Sequence, residues 1–328
     1  MSIEVPPAPA PAYRRRLGAA LCALPLALAL TACGSGGGEA GEDAAPTRAF
    51  TSDHSEEDVQ IPEKPERIVA LGWAVTVLVP VEDANLVGVS RGTQDSSMTP
   101  DEQQIVEEMP QVGTDTEINI EEVAALEPDL IVSGIPAAAE FDYSELEEIA
   151  PVAVAAMNEP AEWKDMNARI ADAAGVADAH AELIDQYDQR ANELSETYAD
   201  VLGETEFASV AAWGDGNWTM EYREAHGPNV PADAGLKFTE AAEDGSFSEA
   251  LAVEELDRLN DYDAVLVRAT PDGEIEPETE KIMDQGPWAE TEPAKEDKVF
   301  AVPHMGAMSY TAGLLVFDEL ENRVLKKL

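Results

Sequence analysis

Cysteine, histidine, aromatic rings and basic charge are all scarce in this chain, and each shortage closes off a class of chemistry. Of 328 residues only Cys22 and Cys33 are cysteines. Nothing beyond residue 33 can therefore form a disulfide, a thiolate metal site or a thiol nucleophile. The four histidines, His54, His180, His226 and His304, show no paired spacing. His54 falls in a segment expected to be a tether and His180 on a long helix, which leaves too few for a bare zinc or manganese centre. Lysine and arginine number 20 against 67 acidic residues, a formal net charge of −47. So acidic a surface repels nucleic acid and anionic lipid, and it fits a protein that works where salt screens it. The apolar run from Leu17 to Leu30 is too short to cross a bilayer core of about 30 Å as a helix. No Gly-x-Ser-x-Gly elbow, phosphate-binding Gly-Lys-Ser/Thr loop or His-Glu-x-x-His pair occurs, which argues against an enzyme.

What is present begins with a secretory leader: Arg14-Arg15-Arg16, the apolar run, then small residues at a processing point. Leu30-Thr31-Ala32-Cys33 resembles the bacterial lipobox, in which the cysteine sulfur receives a diacylglycerol and becomes the mature N-terminus. Residues 1–32 read as signal peptide and 33–60 as a lipidated N-terminus and disordered tether, rich in Gly, Glu and Ala at its start. Removal of the leader takes Arg14, Arg15, Arg16 and Glu4 and leaves 17 basic against 66 acidic residues, a formal −49.

The remainder is long enough for two medium domains. From Arg67 short apolar runs of the buried parallel kind alternate with helical stretches: Ile68 to Leu71, Leu86 to Ser90, Leu130 to Ser133 and Val152 to Ala155, with helices after Trp73, at Asn119 to Leu126 and at Tyr143 to Ile149. Residues 61–160 are thus an α/β lobe. Residues 161–203 are helical in composition, interrupted only at Gly175, and read as one connecting backbone helix. The alternation resumes over 204–328, with strands at Phe207 to Ala212, Ala264 to Val267 and Val299 to Val302, and a closing amphipathic helix from Thr311 to Leu325. The expected fold class is α/β, two similar lobes with mainly parallel sheets.

Two segments match across the lobes. Ile120-Glu121-Glu122-Val123-Ala124-Ala125-Leu126 precedes the strand at Asp129, and Val253-Glu254-Glu255-Leu256-Asp257-Arg258-Leu259 precedes that at Asp263. Acidic residues in a first helical turn are favoured by the dipole, which alone accounts for part of this likeness.

Together with Pro65-Glu66-Arg67-Ile68-Val69-Ala70-Leu71, Pro110-Gln111-Val112-Gly113, Leu126-Glu127-Pro128-Asp129-Leu130-Ile131, Ile149-Ala150-Pro151-Val152 and Val299-Phe300-Ala301-Val302-Pro303, these segments resemble the substrate-binding proteins of ferric-siderophore and cobalamin ABC importers. The resemblance spans residue 62 to the C-terminus. It implies a lipid-anchored, monomeric receptor on the extracellular face of the cell membrane of a Gram-positive bacterium. Such a receptor closes little on binding and hands a ferric siderophore to an ABC permease dimer with its ATPase. It needs no cofactor, and ferric iron enters only as part of the cargo. One glutamate per lobe, here Glu121 and Glu254, would dock onto the two-fold permease.

In open parallel sheets ligands lie outside the carboxyl ends of the strands. By that rule Trp73, Arg91, Trp213, Arg268 and His304 follow strands into a common cleft, Trp218, Tyr222 and Arg223 join them on a loop, and Tyr310 lies shortly beyond His304. Aromatic rings bury apolar area and arginines bond chelate oxygens. Haem or cobalamin is the alternative cargo, with His304 or Tyr310 as axial ligand; a bare zinc or manganese receptor, a secreted hydrolase and a purely adhesive lipoprotein are the remaining readings.

Overall fold

The computed structural model describes residues 46–328 apart from 93–96, 140, 215 and 242–244. The leader and Cys33 lie outside the described residues. In chain order the strands are β1 (Thr47–Phe50), β2 (Val59–Pro62), β3 (Ile68–Gly72), β4 (Leu86–Arg91), β5 (Gln111–Thr114), β6 (Glu117–Ile118), β7 (Leu130–Pro136), β8 (Val152–Met157), β9 (Phe207–Ala211), β10 (Trp218–Glu221), β11 (Ser248–Leu251), β12 (Ala264–Ala269) and β13 (Val299–Pro303). They form one sheet of order β6-β5-β4-β3-β7-β8, a second of order β11-β10-β9-β12-β13, and a ribbon of β1 with β2. In the first sheet only β6 runs against its neighbour, and in the second β9, β12 and β13 are parallel while β10 and β11 are antiparallel additions.

The central strands are buried apolar runs because helices cover both faces. Ile68 and Ala70 of β3 point into one hydrophobic cluster and Val69 and Leu71 into another, the two-sided burial that removes any polar alternation. Among the described residues β10 and β11 have no counterpart in the first lobe, so the second lobe repeats the parallel core of the first rather than the whole of it.

Two expectations are corrected here. The connecting segment does hold a long helix, Ala177–Thr197, but that helix does not run the whole of 161–203 and is flanked by Trp163–Ala173 and Ala199–Glu204. At Gly175 (φ +73°) the chain turns left-handed, the Val176 N–H reaches back to Ala171 O and the Gly175 N–H to Asp172 O, both at 2.9 Å. This is a Schellman stop, which ends a helix and lets a new one start in another direction. The tether is also shorter than 33–60, because 47–62 is a paired ribbon whose Phe50 and Ile61 are buried in the main core. Beyond β1, Ser52 and Asp53 stitch the ribbon to β8: Ser52 Oγ accepts the Val154 N–H at 2.7 Å, and the Asp53 N–H donates to Val154 O at 3.0 Å.

The two halves meet along a seam of buried side chains. Trp163 Nε1 donates to Asn229 Oδ1 at 3.1 Å, Asn167 Nδ2 donates to Met308 O at 3.1 Å, and Ser309 Oγ, beyond β13, donates to Ser97 O, beyond β4, at 3.4 Å. Chain segments leaving the carboxyl ends of both sheets therefore touch.

Candidate ligand-binding site at the strand carboxyl ends

On the first sheet the site begins at Gly72. Its φ of +57° turns the chain out of β3, and a Cβ there would lie 2.4 Å from Gly134 O, so only glycine lets the two strand ends approach this closely. Trp73 follows, its N–H donating to Gly134 O at 2.9 Å, and its half-buried ring lines a cavity of about 210 Å³ with Asp115, Ile118, Phe141 and Tyr143. Ser90 Oγ donates to Asp115 Oδ1 at 2.8 Å while accepting the Gly72 N–H at 2.9 Å, which locks the β3 and β4 ends together. Arg91 closes β4, and its carbonyl accepts the Asp115 N–H at 3.0 Å.

A larger cavity of about 940 Å³ shares Ile135, Ala139, Phe141 and Tyr143 with the first and extends past β8 to His54, Asn158, Asp165 and Arg169. Its floor is aromatic: Phe141 and Tyr143 lie 4.7 Å apart and His54 meets Tyr143 edge-on at 5.1 Å. Its rim is acidic. Arg169 is paired with Asp53 at 2.6 Å, whereas Asp142, Glu162 and Asp165 have no ion-pair partner among the described residues. The Ser144 N–H holds the Asp142 carboxyl below its usual range, and the Asn158 N–H does the same for Glu162.

The contacts Ser52 Oγ to His54 Nδ1 (2.7 Å) and His54 Nε2 to Glu147 Oε1 (2.9 Å) have the outline of a hydrolytic triad. Ser52 is 2 % exposed and its oxygen already accepts the Val154 N–H. It is a clamp for the ribbon, with no face open to a substrate.

On the second sheet Trp213, beyond β9, is 62 % exposed, and the Arg268 guanidinium lies 5.0 Å from its ring centroid. Arg268 Nη2 donates to Glu221 Oε1 at 2.5 Å, and Glu221 Oε2 accepts from Ser209 Oγ at 2.9 Å. The Glu221 side chain is 4 % exposed and that of Arg268 12 %, so the pair fixes the guanidinium beneath the indole. Gly306 leaves room for it, since a Cβ there would sit 3.2 Å from Arg268 Nη1. Burial pushes the His226 imidazole below its ordinary value, and the charge of Arg268 adds to that shift. His304 holds a left-handed φ of +61°, its Nδ1 is buried without a partner among the described residues, and burial lowers its pKa too.

Of the residues expected in the cleft, Trp73 lines a cavity, Arg91 stands at its strand's carboxyl end, and Trp213 and Arg268 are joined; His304 follows β13, half-buried. Four others are corrected. Trp218 is fully buried, its Nε1 donating to Ala252 O at 2.9 Å. Tyr222 is 7 % exposed and bonded to Glu249 at 2.8 Å. Because β10 runs antiparallel to β9, pairing Thr219 with Ala211 and Glu221 with Ser209, the chain at Tyr222 and Arg223 has travelled to the opposite end of the sheet. Tyr310 packs inside the core against Trp163 at 4.8 Å and Tyr187 at 5.2 Å, its hydroxyl pKa pushed up to about 12 by burial, which removes it as an axial ligand. Sequence reasoning missed Glu221, Phe141, Tyr143 and Arg169. Only the aromatic pair Phe141 and Tyr143, just beyond an apolar strand, offered a signal.

Glu121 and Glu254 are both exposed in the first turn of their helices, Ile120–Ala125 and the 3₁₀ segment Val253–Asp261. Glu255 instead accepts the Ala252 N–H at 3.2 Å, so the second glutamate of that pair is occupied in capping. Among the described residues no group of three or more His, Cys, Asp or Glu side chains is placed to hold a metal ion, and no helix is long and apolar enough to cross a membrane.

The architecture has close counterparts. The siderophore periplasmic binding protein from the fuscachelin gene cluster of Thermobifida fusca is 27 % identical, with a TM-score of 0.68 over 82 % of this chain and 99 % of that one. SirA of Staphylococcus aureus, solved in complex with staphyloferrin B, shares the fold at 19 % identity, with a TM-score of 0.63 over 86 % of this chain and all of that one. The "Probable siderophore-binding lipoprotein YfiY" of Bacillus subtilis strain 168 is 28 % identical over 202 residues, and the match spans 60 % of each chain. The profile of the family described as periplasmic binding protein matches residues 68–304, from the start of β3 to just past β13, so both sheets fall within it. The chain belongs to the periplasmic binding protein family.

Proposed function

We propose that this protein is an extracytoplasmic receptor that captures a ferric siderophore at the carboxyl ends of its two sheets and releases it unchanged to an ABC permease. The observation that carries this reading is the exposed Trp213 ring laid on an arginine that a buried glutamate holds in place. An exposed indole at a strand's carboxyl end contributes little to folding, and it offers an apolar, rigid surface to a ligand. The relatives named for siderophore binding support the cargo. The lipobox at Cys33 supports attachment to the outer face of the cell membrane, and the exposed Glu121 and Glu254 support docking of a monomeric receptor onto a two-fold permease with its ATPase. With Tyr310 sealed in the core, an axial-ligand role in a haem or cobalamin receptor would fall to His304 alone.

Tryptophan fluorescence titration with ferric siderophores, haemin and cobalamin tests the proposal. Ferric siderophores should quench emission and raise the melting temperature, since a ligand at about 100 times its Kd adds roughly 2.7 kcal/mol to the native state. Trp213→Phe should lose much of the quenching. The proposal fails if no ferric siderophore quenches or stabilises, or if haemin alone does so.

A further inference from the structure

Each arginine at the site is already engaged, while several carboxylates on the cavity rim are in no ion pair among the described residues. Arg268 is matched by Glu221 at 2.5 Å and Arg169 by Asp53 at 2.6 Å, and Arg91 also has a bonding partner. A guanidinium paired with a carboxylate, as those of Arg268 and Arg169 are, presents almost no net charge to an ion several ångströms away. Asp142, Glu162 and Asp165, on the rim of the larger cavity, are exposed and have no ion-pair partner among the described residues.

We infer that the receptor, if the siderophore reading above is right, selects ferric chelates of neutral or positive charge, of the trihydroxamate kind, and discriminates against triply anionic tricatecholates. Across about 8 Å of water each unpaired carboxylate disfavours a triply anionic chelate by roughly tenfold at low salt and two- to threefold at physiological ionic strength. The same carboxylate favours a singly positive chelate by about twofold at low salt. Ile135, Phe141, Tyr143 and Trp73 supply the apolar surface that the hydrocarbon arms of a trihydroxamate need. The engaged arginines remain hydrogen-bond donors to the ligand oxygens of a ferric trihydroxamate whose overall charge is neutral, so they assist this class without selecting for net charge.

The test titrates the full chain with ferrioxamine B, a cationic trihydroxamate, ferrichrome, a neutral one, and ferric enterobactin, a triply anionic tricatecholate, at low salt and at about 1 M NaCl. Both trihydroxamates should bind at least tenfold more tightly than the tricatecholate at low salt, and the gap should narrow at high salt. In Asp142→Asn with Asp165→Asn, an exposed pair whose replacement keeps the acceptor for the Ser144 N–H, the tricatecholate-to-trihydroxamate Kd ratio should shrink by about fivefold or more at low salt. A tricatecholate that binds as tightly as the trihydroxamates at low salt, or a ratio that the double variant leaves unmoved, overturns the inference while the receptor reading stands. Failure of all three chelates to bind or to stabilise the protein overturns the receptor reading, and the inference with it.

Discussion

Gly313 and Gly203 both lie in helices, and replacing each with alanine should move stability in opposite directions. In an exposed helix interior Gly→Ala gains about 1 kcal/mol from backbone entropy alone. At Gly313, in helix Tyr310–Leu320, the added Cβ would sit 2.5 Å from Cε2 of Tyr187. That ring is fully buried, with Phe317 at 4.7 Å and Tyr310 at 5.2 Å, and its hydroxyl donates to Asp233 at 2.5 Å. It has nowhere to retreat without breaking the bond or pushing the next ring. Overpacking costs about 1–3 kcal/mol, and a contact of 2.5 Å on a ring that cannot retreat belongs to the upper half of that range, so the net expectation for Gly313→Ala is a loss of roughly 1–2 kcal/mol after the helix gain of about 1 kcal/mol. At Gly203 nothing lies within 4 Å of the added atom, and the variant should gain up to about 1 kcal/mol. Urea unfolding should shift the two midpoints in opposite senses with unchanged m. A Gly313→Ala protein as stable as wild type would refute the claim that this aromatic cluster is packed without slack.

Glu121→Ala combined with Glu254→Ala should leave siderophore affinity within error and abolish uptake in cells, measured with radiolabelled iron; normal uptake removes these residues from docking. Thermal stability should rise from low salt to about 1 M NaCl, because screening relieves the repulsion of a chain with a formal charge of −47; a flat or falling melting temperature refutes this. His180 is 3 % exposed over Tyr310, and burial holds its pKa below the ordinary 6.5. The unfolded chain then binds the proton first, so the contribution of neutral His180 is complete above about pH 6.5 and declines as pH falls through the window below it. His180→Gln should lessen the loss of stability between about pH 7 and 5.5, read as the difference between wild-type and variant unfolding curves.

The parallel cores of both lobes were legible because strands covered on both faces must be continuous apolar runs, as at Ile68 to Leu71 and Ala264 to Val267. Elements at the margins were not. Helix Pro100–Glu108 buries only Glu102 and Val106, so it has no apolar period to detect, although the capping box of Thr99 with Glu102 was written in the residues. β1 and β2 are four residues each and partly exposed. β10 escaped because its buried glutamate reads as a loop residue until Arg268, 47 positions later, supplies the counter-charge. That one omission misplaced Tyr222 and Arg223, since an unnoticed antiparallel strand reverses which end of the sheet a side chain reaches. Trp73, Arg91, Trp213 and Arg268 could be placed at strand carboxyl ends because that placement depends on the strands alone, whatever the loops do.

The stitch between the N-terminal ribbon and β8 also bears on solubility. β8 is an outermost strand of its sheet, and Ser52 and Asp53 occupy its outward-facing amides at Val154 and Ala156, the latter through Asp53 Oδ2 at 2.6 Å. An uncovered row of this kind is a template on which a second molecule can add its own strand. Proteolysis or truncation that strips the chain up to about residue 56 would therefore do more than loosen a terminus: it would bare a sticky margin and leave the protein prone to edge-to-edge self-association.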